Sequence, residues 1–152
     1  MDFIGKNKKP GFTLLEVLIV TAIIALIASF VVVNITSTKQ KSRDVRREQD
    51  IKQIQNALNI YATNKGLYPA CGGGGDYIII DGTSDCLSSA LIGNGSIDKL
   101  PTDPLRGSNG SCDNAGDYVY CYLSNGSAYI IHYALEGNTI PGKSPGWQAV
   151  KS

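Results

Sequence analysis

From Phe12 to Val33 the chain runs for 22 residues with a single charge, Glu16. At about 1.5 Å rise per residue, a helix of that length matches the roughly 30 Å core of a bilayer. An ionised carboxylate in such a segment is costly, roughly 2.5–3.5 kcal/mol when central, and usually marks function. Glu16 therefore needs a partner. Lys6, Lys8 and Lys9 precede the run and lead to Pro10 and Gly11, a short basic leader ending on a small residue. Cutting between Gly11 and Phe12 would create an α-amino group one helical turn from Glu16. A second copy, offset along a stack of identical helices, would bring its own new amine to this carboxylate. Both charges would then be neutralised away from water.

The junction Gly11-Phe12-Thr13-Leu14-Leu15-Glu16-Val17 resembles the type IV prepilin signature of pilins and type II secretion pseudopilins. The resemblance is specific over residues 8–35 and looser beyond. It implies a membrane peptidase that cuts after Gly11 and methylates the new N-terminal residue, Phe12. It also implies that Glu16 guides assembly into a homo-oligomeric helical filament, driven by an inner-membrane platform and a cytoplasmic ATPase. Many pilins carry proline where this chain has Val33, and often glycine where it has Ala25; their absence here implies a more continuous helix. Two rivals fit less well. A secretory signal peptide has a shorter apolar region and an A-x-A-like site, and Ala25-Leu26-Ile27-Ala28 puts a leucine where a small residue is wanted. An ordinary anchor has no use for Glu16 or the junction.

The fold expected is α+β, a long N-terminal helix packed on a small antiparallel β-sheet head, type IV pilin-like, with the first half of the helix membrane-spanning. The divisions are a leader (1–11), a transmembrane or filament-core helix (12–38), its amphipathic continuation (39–66) and a disulfide-stapled head (67–152). No proline or glycine falls between Asn34 and Lys65, and Gly66 is a natural stop, so the helix from Phe12 spans about 80 Å. Ile51, Ile54, Leu58 and Tyr61 form one apolar stripe for packing on the head, while Val45 and Ile60 project to the opposite side.

Beyond the helix, Gly72 to Gly75 reads as too flexible for regular structure, Tyr77 to Ile80 as a short strand, and Cys86 to Ile92 as a short helix. Tyr118 to Tyr122 and Ala128 to Leu135 flank Asn125-Gly126, a strong hairpin signal, and Trp147 to Val150 adds a third strand. Tyr68-Pro69, then Leu100-Pro101-Thr102-Asp103-Pro104, then this tyrosine-rich hairpin extends the family resemblance through the head.

Cys71, Cys86, Cys112 and Cys121 all lie outside the apolar run, as expected for disulfides in an oxidising compartment. Three pairings are open; Cys71–Cys86 with Cys112–Cys121 is favoured because both close short loops, worth about 3 kcal/mol for 15 residues. A zinc site lacks C-x-x-C and a second histidine beside His132. Neither cofactor nor metal is expected. Asp113, Asn114 and Asp117 offer oxygens of the kind calcium takes, and the resemblance implies calcium in a C-terminal loop, but Glu136 to Gly142 lacks spaced aspartates; turn chemistry explains the former group. The sequons at Asn94, Asn109 and Asn125 also read as turns. His132 has no serine or cysteine partner, and Gly72 to Gly75 is followed by no Gly-Lys-Ser/Thr.

Composition adds little pull toward any partner: 152 residues, 43% hydrophobic, formal charge +1. Lys39, Lys41, Arg43, Arg46 and Arg47 follow the apolar run and would meet lipid headgroups before assembly, pair with neighbouring subunits, or simply be solvated. Nucleic acid is not expected, for want of clustered aromatics. These charges oppose the leader in a positive-inside count, but the junction and the cysteines place the leader in the cytoplasm and the head outside. The reading is a non-enzymatic subunit of a type IV pilus-like filament, held first in the cytoplasmic membrane and then in an extracellular pilus. The alternatives are a periplasmic pseudopilus of type II secretion, or a minor pilin acting as an adhesive or DNA-binding tip, for which Tyr118, Tyr120, Tyr122, Tyr129 and Tyr133 could supply an exposed patch.

Overall fold

The computed structural model describes residues 11–107 and 110–152, without the side chains of residues 30–34. The leader up to Pro10 and the Asn109 sequon lie outside the described residues, as does the side chain of Val33.

Helix α1 spans Leu14–Lys65. It ends where the sequence supplies a residue free to turn left-handed: Gly66 has φ +78° and its N–H donates to the Ala62 carbonyl at 2.7 Å. The chain divides into two compact units, one ending at Thr38 and one beginning at Lys39. In the first unit the described side chains are exposed from Phe12, just ahead of α1, to Ser29. Thr21 and Ser29, the polar residues embedded there, donate their hydroxyls to the carbonyls of Leu18 and Leu26, so their hydroxyl protons need no outside partner. Among the described residues no helix is long and apolar enough to cross a membrane. The run read as a span includes residues 30–34, whose side chains are outside that description.

In the second unit α1 lies on a four-stranded antiparallel sheet in the order β1 (Ile78–Ile79), β2 (Cys121–Ser124), β3 (Tyr129–Leu135) and β4 (Gly146–Lys151). Ile51, Ile54 and Leu58 are buried and Tyr61 packs beside them, while Val45 and Ile60 stay exposed. The period-2 alternation of β3 turns Tyr129, Ile131 and Tyr133 into the same core as Tyr122 of β2. Helix α2, Cys86–Gly93, closes it with Leu87 and Leu91; Asp85 caps α2 by accepting the Ser88 N–H at 2.9 Å. Each such leucine or isoleucine contributes about 1.5–3 kcal/mol on burial.

The β2–β3 hairpin turns at Asn125-Gly126. The Asn125 carboxamide oxygen accepts the Ser127 and Ala128 N–H groups, and Gly126 has φ +91°. Three local expectations shift. The first hairpin strand begins at Cys121 rather than Tyr118. Tyr120 still accepts the Ile80 N–H at 2.8 Å, but β1 keeps only Ile78 and Ile79. Gly73–Gly75, expected to be irregular, forms a single 3₁₀ turn, with Gly74 at a left-handed φ of +79° that glycine adopts without strain. Cys71 is joined to Cys86 and Cys112 to Cys121.

Candidate functional site

The junction and the first turn of α1 form one site. Gly11 has open space around it and Phe12 is 84% exposed, so the peptide bond between them is accessible. Thr13 caps the helix. Its backbone N–H and its hydroxyl both donate to Glu16 Oε2 at 3.0 Å, and its hydroxyl oxygen accepts the Glu16 N–H at 3.2 Å. This reciprocal arrangement is a capping box, whose sequence signal is the Thr13-x-x-Glu16 spacing. Glu16 therefore has a hydrogen-bonding partner within its own chain, beside the intermolecular amine expected to neutralise its charge. Thr13 supplies hydrogen bonds and no charge, and among the described residues no cation pairs with this carboxylate at the head of an apolar helix. Both bonds fall on Oε2, leaving Oε1 for a cation.

The surface below Glu16 has the same unfinished character. Leu14, Leu15, Leu18, Ile24, Leu26 and Ile27 are each at least 56% exposed. An apolar helix exposed all round is covered in a working molecule by lipid or by other helices.

The basic cluster behaves differently. Arg47 is fully buried, and Arg43 is half-buried; Lys39, Lys41 and Arg46 remain exposed. The expectation of a solvated or lipid-facing row is thus corrected for Arg43 and Arg47, whose charges are taken up inside the head. Arg47 holds Asp103 bidentately at 2.7 and 3.0 Å, Asp44 at 2.7 Å and Glu136 at 2.6 Å. Arg43 adds two bonds to Glu136, at 2.7 and 2.5 Å. Hydrogen bonds from Arg43, with Arg47 beside it, hold the Glu136 carboxyl below its ordinary range despite burial. Burial pushes Asp44 upward, but donors from Thr139, the Glu136 N–H and Arg47 outweigh it and leave this carboxyl low as well. Asp50 goes the other way: burial dominates and raises it, although the Tyr120 hydroxyl donates to it at 2.9 Å.

The tyrosines proposed for an adhesive patch mostly turn inward. Tyr120, Tyr122, Tyr129 and Tyr133 are buried, and Tyr118 lies under the Arg47 guanidinium at 4.7 Å. The Tyr133 hydroxyl reaches Glu48 at 2.6 Å and is pushed up to about 12, first by burial and then by that carboxylate. His132 lies on the outer face of the sheet, stacked on Tyr77 at 4.3 Å. Its Nδ1 is 2.7 Å from Asp113 and its Nε2 3.1 Å from the Tyr77 hydroxyl.

The calcium that the resemblance implies finds no matching donor set. Asp113 is engaged by His132, Asp117 accepts the Ser111 N–H, and the Asn114 carbonyl accepts the Trp147 indole N–H. Both oxygens of Glu136 are bound by arginines. Among the described residues no group of three or more acidic, histidine or cysteine side chains could hold a metal ion.

Residues 6–32 match the prokaryotic N-terminal methylation motif. The chain is 34% identical to the type II secretion system core protein G of Escherichia coli (strain K12) over 121 residues, 79% of this chain and 83% of that protein. It is 34% identical to the core protein G of Aeromonas hydrophila, over 65% of this chain and 69% of that protein. To the Vibrio cholerae protein of the same name it is 36% identical, over 64% and 66%. No solved structure matches the chain. With its methylation motif, its exposed apolar helix and relatives matched over as much as 79% of its length, the chain is a pilin-like filament subunit and belongs to the type II secretion system core protein G family.

Proposed function

We propose that this chain is made as a precursor held by residues 12–38 in the cytoplasmic membrane, with the leader 1–11 inside and the head outside. A prepilin peptidase cuts between Gly11 and Phe12 and methylates Phe12. The released amine of one subunit then approaches Glu16 of another, and the exposed apolar helices bundle into the fibre core. The observation that carries this reading is the conjunction of an anion with a spare oxygen and an uncovered apolar helix directly behind an accessible glycine junction. Bundling removes the apolar surface from water or lipid, and the amine supplies the charge that Thr13 cannot.

The fibre is that of a secretion system, following the names of the relatives, and the subunit performs no chemistry of its own. Extraction from the bilayer is driven by a platform protein and an ATPase. Deletion of the chain tests the assignment: secreted proteins should accumulate inside the envelope while any long surface pili persist. Loss of surface pili with secretion intact would assign the subunit to a pilus instead.

A further inference from the structure

We infer that Arg47 is a built-in cation of the head, whose guanidinium fixes the loop from Glu136 to Lys143 on helix α1, so that the order of this loop does not depend on a bound divalent metal. Three carboxylates from three separate segments converge on Arg47: Asp44 on α1, Asp103 in the loop after α2, and Glu136 after β3. Buried anions brought this close need a cation among them. Arg47 provides it with four of its five N–H donors engaged, and the Tyr118 ring covers the guanidinium face.

The loop is then anchored at both ends to neighbouring turns of the helix. At its start the Glu136 and Gly137 N–H groups donate to Asp44 at 3.0 and 3.2 Å, and the Thr139 hydroxyl donates to the same carboxylate at 2.5 Å. At its end Lys143 Nζ binds both oxygens of Glu48 at 2.7 and 2.8 Å. A metal ion would have to strip Glu136 from two arginines before it could use that side chain. The guanidinium fills the bridging role that a cation plays in an acidic loop, and Lys143–Glu48 closes the far side.

The full-length chain in detergent micelles tests this by thermal melting followed by circular dichroism, in excess calcium chloride and in excess EGTA. The wild-type curves should superimpose. Arg47→Met should lower the midpoint by on the order of 10–20 °C, by stranding the carboxylates. Should that variant not fold at all, Glu136→Gln keeps Arg47 on Asp44 and Asp103. It should melt a few degrees lower and be cleaved faster by protease within 136–143, to the same extent with calcium or EGTA. A wild-type midpoint that rises several degrees in calcium would overturn the inference, and so would a Glu136→Gln loop as protease-resistant as wild type.

Discussion

Between Leu14 and Ile27, helix α1 exposes leucine, isoleucine and valine on every side and holds one anion that pairs with no cation among the described residues. Between Asp44 and Leu58 the same helix hides its apolar stripe completely and gives its buried charges partners within the chain. Among the described residues no buried side-chain nitrogen or oxygen lacks a hydrogen-bond partner. The contrast separates two tasks. The second half satisfies its buried groups inside one subunit. The first half leaves its apolar area exposed, and in the proposed fibre another subunit covers it and brings a charge to Glu16.

The sharpest way to break that contrast is at the junction. Gly11→Leu meets open space, so packing is not at issue. It should leave the chain uncut and abolish fibres, with intact mass still counting from Met1. Next comes Glu16→Ala, which should prevent assembly of the processed chain while leaving the melting temperature of the head unchanged; a lowered head midpoint would mean that the two halves are not independent. Leu58→Ala does the reverse. Deleting this fully buried side chain should cost about 2–5 kcal/mol of head stability, with processing at Gly11 unaffected.

Acid should act on the stability of the second half, and more gently. Asp44 and Glu136 titrate below their ordinary values in the folded head, so the unfolded chain binds more protons there. Their contribution is complete above about pH 5 and declines as pH falls below about 4. Asp50, raised by burial, works in the opposite sense and blunts the loss. Midpoints measured from neutral to acid pH should fall only below that range; a fall already near neutrality would contradict the assignment. Smallest of all, Ile60→Ser on the exposed side should change stability by no more than about 0.5 kcal/mol.

The parts legible in the sequence are those governed by nearest neighbours. Gly66 stops the helix because φ must turn positive there, the Ile51–Leu58 stripe follows the 3.6 period, and Asn125-Gly126 closes the hairpin through its own side-chain bonds. Arg47 was not legible. A basic residue in a run of mixed charges looks solvated, and its partners Asp103 and Glu136 lie 56 and 89 residues away. Only the packing of three segments reveals that the charges face inward. The Thr13–Glu16 capping box differs, since its i, i+3 spacing lies in the sequence and needs no distant segment. Strand boundaries moved by up to three residues because β2 starts where its ladder to β3 begins, not where the tyrosines do.

Cleavage after Gly11 and assembly through the exposed helix can be read from the mature chain itself. Intact mass and N-terminal sequencing of fibres sheared from cells, or isolated from the envelope, decide both. The expected chain begins at methylated Phe12, is abundant in the fibre fraction and is absent from it in Glu16→Ala. A chain still beginning at Met1, confined to membranes and indifferent to Glu16→Ala, would contradict it.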